Sequence, residues 1–263
     1  MWKYGSTYWG ISFIGGGILE KWIKYRKNIE NPNHRLICIP YAGGGASKFI
    51  GWQKEFGDKI EVLPIQLPGR ENRMQEKCMT DCREVVGGII EEIFPLIKEN
   101  DFSIFGHSMG GIIGYELAKE LEKEHNIKAK YLFVSGSSIQ NKEKMRYISH
   151  LENDKFIDAV REYGGLDEQI LIYPEFKEFF INILRNDFQL VEGYIPKGDI
   201  KLNIPIKAYY GTEDNFIKDD MLNNWANFSN YNFEYKLYEG NHFFINNYKE
   251  EICRDIIESL NLC

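Results

Sequence analysis

The chain has 263 residues, 43% of them hydrophobic and 14% aromatic, and its 32 Lys and Arg against 39 Asp and Glu leave a formal net charge of −7. That balance describes a folded, mildly acidic protein with enough chain for one large α/β domain and a sizeable core. It argues against a nucleic-acid binder, which needs a basic face for phosphates, and no apolar run approaches the roughly 20 residues that span a bilayer.

The first twenty residues carry Trp, Tyr and Gly with neither helical nor strand period, and the apolar run Ile11 to Leu19 is broken by Gly15, Gly16 and Gly17. Lys3 is the only cation among them and no small-residue cleavage site follows, so a secretory signal is not expected. Residues 1–20 read as an extension, either disordered or the product of a misassigned start, in which the glycines translate a ribosome-binding sequence ahead of a non-AUG start at Ile18 or Leu19. The domain is expected to run over 21–263. Cys38, Cys78, Cys82, Cys253 and Cys263 contain no C-x-x-C pair, which points to reduced thiols and a cytoplasmic protein.

From there, short β-branched or aromatic runs alternate with helical patterns, the signature of βαβ units and a largely parallel sheet. The expected strands are 35–39, 60–63, 102–105, 131–134, 206–210 and 233–237. Ser47 is the expected N-cap of a helix to Phe56, Thr80 of one reaching towards Lys98, and Ser108 of one ending near Glu124. A last helix from Phe244 to Leu260 shows Ile245, Tyr248, Ile252, Ile256 and Leu260 on one face. Between about 138 and 199 the alternation stops and only two helical patterns appear, Asn153 to Tyr163 and Pro174 to Tyr194. A helical insertion between strands is expected to cover the strand ends as a lid, or to complete the core as a plain helical layer.

Gly106-His-Ser-Met-Gly110 follows a predicted strand and opens a predicted helix, the context that makes G-x-S-x-G a nucleophile elbow. Such a turn exposes Ser108 at a helix N-terminus, where developing negative charge is favoured. A serine hydroxyl is a weak nucleophile near neutral pH and needs a base oriented by a third group. His34, His125 and His150 read as solvated, and His107 packs inside the elbow, which leaves His242 after the last strand. In the turn Gly211-Thr-Glu-Asp-Asn215, Asp214 is the preferred acid and Glu213 its competitor, since spacing does not separate neighbours. Serine, acid, histidine is the chain order of the α/β-hydrolases. For the oxyanion site one donor is the amide of Met109, and the second is assigned to Ala42 in the glycine-rich loop Pro40–Ser47. That loop lacks the Gly-Lys-Ser/Thr ending of a phosphate cradle.

Pro40-Tyr-Ala-Gly-Gly-Gly-Ala-Ser47, Gln66-Leu-Pro-Gly-Arg70, Gly106-His-Ser-Met-Gly110, the Asp214 turn and Gly240-Asn-His-Phe-Phe244 together resemble the stand-alone type II thioesterases that accompany nonribosomal peptide and polyketide synthetases. The resemblance runs from about Trp22 to the last helix. It departs from the family at the N-terminus and at Asn241, where a glycine is common. It implies an α/β-hydrolase fold with a helical lid, no cofactor of the protein's own, and a carrier protein as partner, whose phosphopantetheine arm bears the acyl thioester. It implies editing by hydrolysis, with Ser108, His242 and Asp214 as triad and Met109 and Ala42 holding the oxyanion. A monomer is the expectation. Arg70 reads as structural or as an entrance contact, and Lys142, Lys144 and Arg146 as a patch for an acidic carrier. The rival readings are a general serine esterase, lipase or acyltransferase on small esters and, against an intact triad, a non-catalytic binder.

Overall fold

The computed structural model describes residues 21–139, 146–164, 166, 168–196 and 201–262. The extension 1–20, with Lys142, Lys144 and Cys263, lies outside them.

Six strands, β1 (His34–Ile39), β2 (Ile60–Pro64), β3 (Phe102–His107), β4 (Leu132–Ser135), β5 (Ile206–Gly211) and β6 (Phe233–Tyr238), form one sheet in the order β2-β1-β3-β4-β5-β6. Every pairing is parallel, as connections through helices require. Alternation along the strands divides the core in two. Ile37, Leu63, Ile104 and Val134 face α2 (Cys82–Ile97) and α3 (Met109–Glu124), whereas Leu36, Val62, Phe105 and Phe133 face α1 (Trp52–Phe56) and α6 (Lys249–Ser259). All six strands fall within two residues of where the sequence pattern places them.

Three helix starts differ from expectation. Asp81 rather than Thr80 caps α2, because its carboxylate accepts the Arg83 amide at 2.8 Å. Ser47 lies inside a short 3-10 turn, Ala46–Phe49, with its hydroxyl given to Glu71, and α1 begins only after Gly51. Phe244 also opens a 3-10 turn, and α6 starts at Lys249.

The chain reverses direction across the sheet between β1 and β3, so the loop after β1 and the elbow after β3 flank one crevice, where open α/β sheets place ligands. Between β4 and β5 the insertion contributes α4 (Asn153–Arg161), a 3-10 turn (Glu168–Leu171) and α5 (Pro174–Gly193). Both sequence readings of it hold in part. Leu190 near the end of α5 joins the main core, while Leu184, Ile181, Phe156 and Val160 form a separate cluster with Ala42 packed against it. At the other end of the described chain, Glu92 of α2 accepts the amides of Lys21, Trp22 and Ile23, and Ile23 bridges to Ile65.

Candidate active site

Each residue assigned from the sequence follows a strand end. Ser108 sits between β3 and α3 with φ +53° and ψ −117°, a conformation that L side chains rarely adopt. Strain of this kind persists only where the surroundings over-determine it. A Cβ at Gly106 would stand 2.0 Å from the Gly110 carbonyl oxygen, and one at Gly110 would stand 2.2 Å from that of Ile39, so both elbow glycines are sterically required. The Ser108 amide donates to the Ser135 carbonyl at 2.7 Å, which ties the turn to β4. No side-chain bond caps α3 at Ser108, so the hydroxyl is not spent on the helix.

His242 and Asp214 meet as anticipated. His242 Nδ1 lies 2.7 Å from Asp214 Oδ2, with the side chains 5% exposed and fully buried respectively. An ionised carboxylate only accepts, so Nδ1 is the donor and Nε2 is the ring's acceptor nitrogen. The other carboxylate oxygen, Oδ1, accepts the Phe216 amide at 3.0 Å. Glu213 is exposed, whereas Asp214 is buried and bonded to His242.

A cavity of about 280 Å³ is lined by Ser108, His242, Met109 and Ala42 together. Much of its remaining wall is apolar, from Ile112 of α3, Val160 of α4 and Phe180, Leu184 and Phe188 of α5, with Lys48, Ser137 and Ser138 as polar members. The insertion is therefore the roof of the site. Tyr163 and Phe216 stack at 3.5 Å between ring centroids and both stand against the His242 ring.

The other histidines divide. His125 and His150 are exposed, as read from the sequence. His34 is not solvated: it is buried in β1 with Nε2 3.0 Å from Ser103 Oγ, and burial pushes its pKa down to about 4. The strand begins one residue earlier than the pattern suggested, which carries His34 inside. His107 is buried with Nδ1 2.9 Å from Ser135 Oγ, and burial, then the neighbouring His242, keeps it neutral.

Sequence reasoning missed Gly136, whose added Cβ would meet His107 Cε1 at 2.9 Å and His242 Cε1 at 3.2 Å, and whose φ is +52°. It follows β4 directly and leaves the base its room; an unexplained glycine at a strand end was the available signal. It also missed Asp187, a lone acid among Leu184, Phe188 and Leu190 on α5. Arg70 is buried and ion-paired with Asp187. Arg146 of the expected carrier patch pairs with Glu162, both about half exposed.

A family model described as the thioesterase domain matches residues 34–260. The chain belongs to the thioesterase family. It is 38% identical over 93% of its length to the gramicidin S biosynthesis protein GrsT of Aneurinibacillus migulanus, covering 95% of that protein. It is 30% identical to thioesterase PikA5 of Streptomyces venezuelae, over 91% of this chain and 85% of that one. Among solved structures, the RedJ thioesterase from the prodiginine biosynthetic pathway of Streptomyces coelicolor superposes with a TM-score of 0.80 at 28% identity, over 87% of this chain and 91% of that one. The fold is that of the α/β-hydrolases, and this thioesterase is a hydrolase acting on thioesters. No helix among the described residues is long and apolar enough to cross a membrane, and Cys38, Cys78, Cys82 and Cys253 are buried free thiols.

Proposed function

We propose that this chain is a type II, editing thioesterase that frees acyl groups from the phosphopantetheine arm of carrier protein domains in a nonribosomal peptide or polyketide synthetase. Ser108 Oγ attacks the thioester carbonyl carbon while His242 Nε2 takes its proton. Asp214 holds the imidazole through Nδ1 and stabilises the imidazolium that forms. The carbonyl oxygen becomes an oxyanion held by the amides of Met109 and Ala42. When the tetrahedral intermediate collapses, the C–S bond breaks and the thiolate takes the proton from His242. Water then attacks the acyl-serine, giving its proton to His242, and the carboxylic acid leaves as Ser108 recovers its proton. The pantetheine arm belongs to the substrate, and these steps use no cofactor of the enzyme.

The observation that carries the reading is the buried His242–Asp214 pair at the cavity that the strained Ser108 lines. Support for the partner comes from relatives named for antibiotic pathways, of which the chain covers nearly the whole length. One chain supplies the whole site, which supports a monomeric enzyme, and the buried free thiols support a cytoplasmic one. Rapid quenching with an octanoyl thioester followed by peptide mass analysis tests the chemistry. The acyl mass should appear on the peptide holding Ser108 and be absent from Ser108→Ala. Acyl mass on another residue, or undiminished hydrolysis by the variant, would overturn the assignment. Slower turnover of the thioester than of its oxygen-ester analogue would move the enzyme to the general esterases.

A further inference from the structure

The loop Gln66-Leu-Pro-Gly-Arg70 takes no part in the steps above, yet its arginine is buried. Arg70 and Asp187 of α5 form a bidentate pair, Nη1 to Oδ2 at 2.6 Å and Nη2 to Oδ1 at 2.7 Å, with side chains 4% and 2% exposed. Such geometry is directional as well as strong. Burying both charges is costly, so stability alone does not account for the pair.

The pair grips the loop after β1. Asp187 Oδ2 accepts the Gly43 amide at 2.7 Å, and Arg70 Nη1 donates to the Gly44 carbonyl at 3.3 Å. Gln66 Oε1 accepts the Ala46 amide at 3.0 Å. Gly43 is the third residue of a tight turn closed by the Gly44 amide on the Tyr41 carbonyl at 2.9 Å, and its φ of +79° suits a type II turn. A Cβ there would lie 2.8 Å from Leu184 Cδ2, so α5 presses directly on the turn. The other central residue of that turn is Ala42. An amide's direction is set by the turn that contains it, and this turn is pinned at the Gly43 amide and at the Gly44 carbonyl.

We propose that Arg70 and Asp187 are positioning residues through which the lid helix α5 holds the Ala42 amide aimed at the oxyanion. The proposal rests on the role given to Ala42 above. Oxyanion donors act by being oriented before the charge develops, and a small misplacement costs rate without costing substrate binding. The base of α5 is then part of the catalytic machinery's support rather than a free flap.

Two double variants separate this role from bulk stability. Arg70→Met with Asp187→Leu replaces the buried pair by apolar side chains, a change buried ion pairs often tolerate, and leaves the Gly43 amide without its acceptor. Arg70→Met with Asp187→Asn keeps a neutral acceptor. With a small octanoyl thioester, the leucine variant should lose about tenfold or more in kcat with KM little changed. Its affinity for an alkyl trifluoromethyl ketone, which places an oxyanion on Ser108, should fall by the same factor, and the asparagine variant should recover most of both. Where melting curves show the leucine variant unfolded, Asp187→Ala replaces it with the same expectations. Equal kcat in the two variants, or lost rate with unchanged ketone affinity, overturns the proposal. A wild-type enzyme that turns over the thioester but does not bind the ketone also overturns it, whereas one that hydrolyses no thioester removes the functional reading beneath.

Discussion

The floor of the cavity and its roof are made in different ways. Ser108, Asp214 and His242 follow β3, β5 and β6, fixed by parallel strand register and by bonds between buried polar groups. The roof comes from an insertion, whose Val160, Phe180, Leu184 and Phe188 meet the same space with apolar side chains. Directional bonds fix atoms to within tenths of an ångström, whereas apolar contacts fix only volume and exclude water. On the proposed reading, the chemistry is lodged where geometry is rigid, and the choice of acyl group is left to a surface that repacks more freely.

Changes to the floor should strike kcat, and changes to the apolar side chains of the roof should strike KM. The largest effect is expected from Ser108→Ala or His242→Ala, on the order of 10⁶-fold in kcat, with Asp214→Asn near 10⁴-fold. Glu213→Gln, an exposed neighbour, should stay within about twofold. Steady-state kinetics with an octanoyl thioester decide this, and a severe Glu213→Gln beside a mild Asp214→Asn would exchange their roles. Gly136→Ala should come next, at roughly tenfold or more in kcat, because its Cβ crowds the His242 ring. Unimpaired kcat in a folded Gly136→Ala would show that the ring has slack.

Tyr163→Ala removes one ring from the stack over His242 and should raise KM severalfold with a smaller change in kcat. The stack itself contributes about 1 kcal/mol. A kcat loss as large as that of Asp214→Asn would place Tyr163 with the floor.

The mildest test concerns stability alone. His34 has its pKa lowered by burial from 6.5 to about 4, so between those values the unfolded chain binds the extra proton. Its contribution to stability is whole above about pH 6.5, falls as pH drops, and is lost by about pH 4. The gap corresponds to roughly 3 kcal/mol. Urea unfolding at pH 7 and pH 4.5 should show a loss that His34→Gln largely removes, and an equal loss in the variant would assign it to other groups.

The contrast between floor and roof also explains what was legible in the sequence. Strand residues such as Leu36 and Ile37 alternate between two buried faces, and Gly106 is dictated by steric contact with Gly110 four residues on, so local pattern suffices for both, whereas Gly110 is required by Ile39 of β1 and was read from the motif. That Asp214 and His242 would meet was legible because strand ends are recognisable, although only folding shows that Asp214 rather than Glu213 bonds to His242. Asp187 meets Gly43 across 144 residues, and no local period announces such a contact. His34 was misread because a single residue of strand boundary decides between solvent and core. The start of α2 slipped for a similar reason, since one capping bond, from the Arg83 amide to Asp81, settles it.

The central claim is editing of carrier-bound thioesters by Ser108. It is tested most directly by following release of an octanoyl group from a phosphopantetheinyl carrier protein by wild type and Ser108→Ala, beside the same group on a small thiol. The account predicts faster release from the carrier, abolished by the substitution. Ser108-dependent release confined to the small thioester would contradict it.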